Sequence, residues 1–314
     1  MKAIPKYKDL PEFKEIDCRH AWGVFGKDDQ LGRINLMTAE TVQAAAAEVR
    51  RGARFNISLP LDHPEPSWSH NRKNYKHNIF SANRNSQDDY LDSFYMQRST
   101  QWDSLRHVRA REFGYYGGRQ DAEAGAGGAF LGIEKWVEHG MVGRGVLLDV
   151  ARYQASIGQP LDARKGTPIT VDMLKATMAK QGSTLTSGDV LMLRTGYVDY
   201  YLQASKEERI HMSEHHDCPG LHAGHEVTEF LWDSGISAIA ADNPAVEVVP
   251  GLPETGSLHR RLIPLLGFAL GEFFALGELA EDCARDGRYT CMFVAVPLNV
   301  PGAVGSPGNA IAMK

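Results

Sequence analysis

Three short apolar runs, at 145–150, 189–194 and 236–242, constrain the fold of this 314-residue chain more than any other feature. Each is too short for a core helix and is bounded by polar or glycine-containing sequence, so each reads as a buried strand. Helical stretches lie between them. Thr170 offers an N-cap to an amphipathic segment that stops at Gly182, and 223–234 forms another that stops at Gly235. A further helix is expected from the Thr38 cap through an alanine-rich run to Arg51, with Gly52 behind it. A short helix at 133–139 and strands at 55–59 and 288–297, the last of the chain, complete the pattern, which is α/β and spans 1–314 as one domain.

Between 62 and 128 this periodicity lapses into polar, aromatic and glycine-rich sequence, nearly free of aliphatic side chains over 71–89. A long irregular excursion in a compact protein reads as a functional loop or lid. Its aromatics, Tyr75, Phe80, Tyr90, Phe94 and Tyr95, argue against disorder. The glycines at 125, 127 and 128 follow no suitable strand and precede no G-K-[ST], so they do not make a phosphate loop. A net charge of −5 disfavours nucleic acid or an anionic membrane as partner and leaves a small molecule or a second copy of the chain. Four cysteines without a C-x-x-C pair suit a reducing compartment. Residues 1–20 carry charges throughout, and no run approaches the ~18 apolar residues of a membrane span. A soluble cytoplasmic protein is expected.

The chemistry concentrates at 99–107. Gln101 and Asp103 are two apart, so an extended segment sends both to one face, and His107 lies one helical turn beyond Asp103. The aromatic wall of a site would come from Trp68, Phe94, Tyr95 and Trp102. Asn243, at the carboxyl end of a buried strand, stands where α/β proteins place function. The group His211, His215, His216, Cys218, His222 and His225 invites a zinc reading, but its spacing matches no structural zinc module; His222 is expected to face substrate. Glu272 is a lone carboxylate among Phe, Leu and Ala, and burying it requires a cation or hydrogen-bonding partner. Residues 299–309 form a Pro/Gly-rich tail expected to drape over a neighbouring surface or to be disordered.

Several segments resemble the cyclase family that includes bacterial kynurenine formamidases and isatin hydrolases. Trp22-Gly23, Asp28 to Gly32 and Asn35-Leu36 are similar to its N-terminal W-G-x-x-D-x-x-G-x-x-N-x-L, and Asp242-Asn243-Pro244 with Glu247 to a later block. The metal motif of the family, H-x-G-T-H-x-D-x-P-x-H, falls on 97–107. Thr100, Asp103 and His107 are kept, whereas Gln97 and Gln101 stand where two histidine ligands belong. Downstream ligands would fall on His259 and Glu272.

The resemblance implies a swivelling β/β/α fold with a mixed sheet core and flanking helices, and a homodimer or homotetramer. It also implies hydrolysis of an amide-like C–N bond in a small molecule. The metal ligands it implies are Gln97, Gln101, Asp103, His259 and Glu272, with His107 as general acid–base. Exchanging imidazoles for amides shifts preference from Zn²⁺ toward harder ions such as Mn²⁺. Two alternatives remain open: a metal-free cyclase or dehydratase using Asp103 and His107, and a non-catalytic ligand-binding protein on the same scaffold.

Overall fold

The three apolar runs lie side by side as parallel strands, Met141–Asp149, Val190–Arg194 and Ala238–Ala241. In the computed structural model, which describes residues 4–314, they form the middle of a nine-stranded mixed sheet. The first three residues of the charged N-terminal stretch lie outside the described residues. Parallel strands are covered on both faces, which is why these runs are apolar at successive rather than alternate positions. Val190 to Leu193 and Ala238 to Ala241 are all fully buried. Ala269–Glu272 continues the parallel set, and Gln101–Asp103 then pairs antiparallel with it. On the other side Thr290–Ala295, Ala310–Met313 and Arg54–Asn56 add antiparallel strands.

Helices Ala39–Ala46 and Val171–Gln181 pack against Met141–Asp149. The second begins at its expected cap, with Thr170 accepting the Met173 N–H, and ends at Gly182 in left-handed geometry. The first stops at Ala46, short of the expected Arg51. Tertiary hydrogen bonds claim the next residues: Arg288 and Thr290 hold Glu48, and the Arg51 and Ala53 amides donate to the Lys314 carbonyl.

Two expectations need correction. Residues 62–128 contain a hairpin, Lys76–Asn83 with Ser86–Asp92, that pairs only with itself and is exposed along nearly its whole length. Nor is 288–297 the last strand, and 299–309 is neither disordered nor simply draped over a surface, because Gly305–Pro307 pairs with Gln101–Asp103 and Ala310–Met313 with Thr290–Ala295. All four cysteines are buried free thiols. No helix among the described residues is long and apolar enough to cross a membrane.

Candidate active site

Strand register builds the site. Gln101 lies directly opposite Glu272, and Asp103 opposite Leu270, in the pairing of Gln101–Asp103 with Ala269–Glu272. Strand alternation therefore puts Gln101, Asp103 and Glu272 on one face and turns Trp102 to the other. Trp102 is fully buried there, with its ring 5.0 Å from Phe274 and 6.0 Å from Phe293. The chain then turns back, the His107 amide donating to the Ser104 carbonyl at 3.0 Å. This brings His107 Nε2 to 3.7 Å from Asp103 Oδ2.

His259 arrives on the short helix Leu258–Leu262, whose first amides, of Leu258 and His259, donate to the Glu247 carboxylate. Glu247 Oε1 also accepts from the Ser257 hydroxyl at 3.1 Å and meets His259 Nδ1 at 2.9 Å. With that nitrogen fixed, Nε2 faces two acids, Glu272 Oε1 at 3.1 Å and Asp103 Oδ2 at 3.7 Å. Single ligand atoms of Asp103, His259 and Glu272 all lie within 4.8 Å of one another. The two glutamines hold the acids from behind. The Gln97 amide nitrogen contacts Asp103 and lies 3.1 Å from His107 Nδ1, while Gln101 Nε2 donates to Glu272. Gln101 Oε1 accepts from Arg72 Nη1 at 3.2 Å. Two bulky residues next to the acids, Val246 and Phe273, have positive φ, a strained backbone of the kind that collects at functional sites.

These groups open onto a cavity of about 450 Å³ lined by Arg72, Asp103, His107, Glu247, His259 and Glu272, with Trp68 on its wall. Burial works against a charged His259. Its hydrogen bonds to Asp103, Glu247 and Glu272 outweigh that and hold the imidazolium well above the ordinary range. Burial, then repulsion from Asp103, pushes Glu272 up to about 7 against the pull of His259. Burial would also raise Asp103, but the charges of His107 and His259 and hydrogen bonds from His259 and Gln97 keep it below the usual carboxylate range. His107 is lowered by burial, with Asp103 only partly opposing.

Of the residues expected to meet substrate, Trp102, Phe94, Tyr95, Asn243 and His222 do not line this cavity. Phe94 borders a separate groove with Leu91 and Leu298, and Tyr95 is solvent-exposed. Asn243 is fully buried, its amide holding the Pro219 and Glu247 carbonyls. His222 accepts from the Gly224 amide. The histidines of 211–225 do not converge with Cys218 on a common point; His216 Nε2 instead meets the Trp68 carbonyl at 2.6 Å. Two residues that sequence reasoning gave no role, Arg72 and Glu247, are central. Glu247 carried a signal in the segment that, with Asp242-Asn243-Pro244, resembles a later family block, whereas Arg72 sits in a polar stretch that offers none.

The donor set fits a divalent ion. Two buried carboxylates and one imidazole offer ligand atoms within 4.8 Å of one another, within reach of a single dication. Oxygen donors predominate, which suits Mn²⁺ or Mg²⁺ better than Zn²⁺.

Comparison with known proteins gives a consistent picture. A family model described as putative cyclase matches residues 55–248. A crystal structure described as a novel cyclase superposes with a TM-score of 0.82 at 36% identity, over 94% of this chain and 99% of that one. An isatin hydrolase bound to the product analogue thioisatinate gives 0.58 at 14% identity, over 88% and 98%. A protein from Bacillus stearothermophilus described as a predicted metal-dependent hydrolase gives 0.51 at 15%, over 84% and 98%. At these last two identities the likeness is one of fold. Comparison with curated proteins gives no match.

Proposed function

Because the chain belongs to the cyclase family, we propose that it is a metal-dependent hydrolase acting on an amide-like C–N bond of a small molecule. The bond would be a formamide or cyclic amide, with esters and lactones as chemical neighbours. The observation that carries this reading is the convergence of Asp103, His259 and Glu272 on a cavity that His107 also lines. Those three residues would hold the ion, with Gln97 and Gln101 bracing the carboxylates. When bound, a divalent ion supplies Lewis acidity and lowers the pKa of water from ~15.7 toward ~7.

The chain's own groups do the rest. The Gln97 amide, 3.1 Å from His107 Nδ1, orients the imidazole. His107, its pKa lowered by burial, takes a proton from the attacking water and returns it to the leaving nitrogen. Arg72 forms no ion pair among the described residues and presents its remaining N–H groups to an acyl or carboxylate oxygen of the substrate. Glu247 keeps the His259 ring in place.

A panel of N-formyl arylamines, cyclic imides, isatin and aryl lactones, assayed with and without Mn²⁺, tests the reaction class. Hydrolysis of at least one member is expected, with Asp103→Asn and His107→Ala each losing on the order of a hundredfold or more in kcat while remaining folded. Full activity in both variants would remove these residues from the chemistry. A second reading has its own support, because the Gln97 and Gln101 amides already satisfy Asp103 and Glu272 without an ion. In that case a metal-free ring closure or dehydration would give a product lacking the added mass of water.

A further inference from the structure

We propose that a second cavity, backing onto the catalytic one, binds a small organic monocarboxylate with an apolar body. It has a volume of about 250 Å³ and shares Gly256 and Ser257 with the catalytic cavity as a common wall. Three arginines, Arg111, Arg260 and Arg261, line it, against a single carboxylate, Glu15. None of the three forms an ion pair among the described residues, whereas Arg119, Arg144 and Arg194 do. Arg261 is fixed in the wall. Its Nη1 donates to the Ala223 carbonyl, and Nη2 lies 3.6 Å from where a Cβ on Gly256 would stand. Its Nε is buried without any partner. A buried, unpaired N–H of a cation is costly and leaves the charge of Arg261 without a close anionic partner.

The remaining walls decide what kind of acceptor fits. Cys18, Ala110 and Leu265 are buried core residues that form an apolar floor beneath the guanidinium groups. A planar carboxylate matches the arginine fork, and a ring-sized apolar group covers the floor. Inorganic phosphate matches the arginines but leaves that floor wet.

Benzoate is a direct probe, titrated calorimetrically into the full-length protein beside benzyl alcohol and inorganic phosphate. Saturable benzoate binding is expected, at least about tenfold tighter than either comparison compound. Arg111→Ala and Arg260→Ala should each weaken it by about tenfold with an unchanged circular dichroism spectrum, and Arg72→Ala in the catalytic cavity should leave it within about twofold. Absence of benzoate binding overturns the proposal, as does phosphate binding of equal strength. Loss on Arg72→Ala with no effect of Arg111→Ala or Arg260→Ala would place the benzoate in the catalytic cavity and equally overturn it.

Discussion

Glu272 is nearly inaccessible, and its two oxygens meet His259 and Gln101 while Asp103 stands across the same imidazole. Two buried carboxylates around one cation leave an excess of negative charge that a dication relieves. Glu272→Gln removes that excess without removing volume. Metal affinity in this variant should fall by roughly tenfold or more while thermal stability holds within about 3 °C. Unchanged metal content and rate would place the downstream ligand elsewhere. A different acid governs stability at low pH. Burial pushes Asp282 up, but hydrogen bonds from Arg51, Lys314 and Arg285 prevail and hold it at about 2. Its folded pKa lies below the unfolded value of 3.8, so its contribution is complete above about pH 4 and disappears as pH falls toward 2. The contribution is on the order of 1 kcal/mol, because Arg51 and Arg285 are largely solvent-exposed. Urea unfolding of Asp282→Asn should therefore show a flatter pH dependence than wild type between pH 4 and 2. Parallel curves would remove Asp282 from the acid response.

Elements differ in how visible they were in the sequence, and burial explains the difference. The parallel strands were legible because burial on both faces leaves continuous apolar runs, and the Val171–Gln181 helix because Thr170 and Gly182 mark both ends. Thr170→Ala should cost about 1 kcal/mol in chemical denaturation, the usual value of a lost N-cap. The hairpin Lys76–Asn83 with Ser86–Asp92 was illegible because it is wet on both faces and so has no alternating pattern to read. Replacing 76–92 by a short Gly-Ser link should accordingly shift Tm by no more than about 2 °C in the monomeric fold. A fall of about 8 °C or more would mean that the hairpin packs against something. Gln101–Asp103 and Gly305–Pro307 are too short for periodicity, and their pairing partners are remote in sequence. The candidate site was legible where a motif fell on it, at Asp103, His107, His259 and Glu272. It was not legible at Arg72, where only the folded chain brings a polar loop over Gln101.

Across the whole molecule, the antiparallel insertion of Gln101–Asp103 between Ala269–Glu272 and Gly305–Pro307 makes the site possible. Acids more than 160 residues apart become neighbours by cross-strand register. His259 is delivered by a helix that Glu247 anchors, and Arg72 by the excursion before the strand. The fold thus holds three potential ligands and the His107 imidazole at a single cavity, even though two histidines of the family motif are glutamines here. Metal content is the most direct measurement of this account, made by elemental analysis of protein purified without chelator and after reconstitution with Mn²⁺. The account predicts close to one equivalent bound, with affinity weakened by roughly tenfold or more in Glu272→Gln and in His259→Ala, and with turnover abolished by EDTA and restored by Mn²⁺. Less than about a tenth of an equivalent after reconstitution, with EDTA-insensitive turnover, would contradict it.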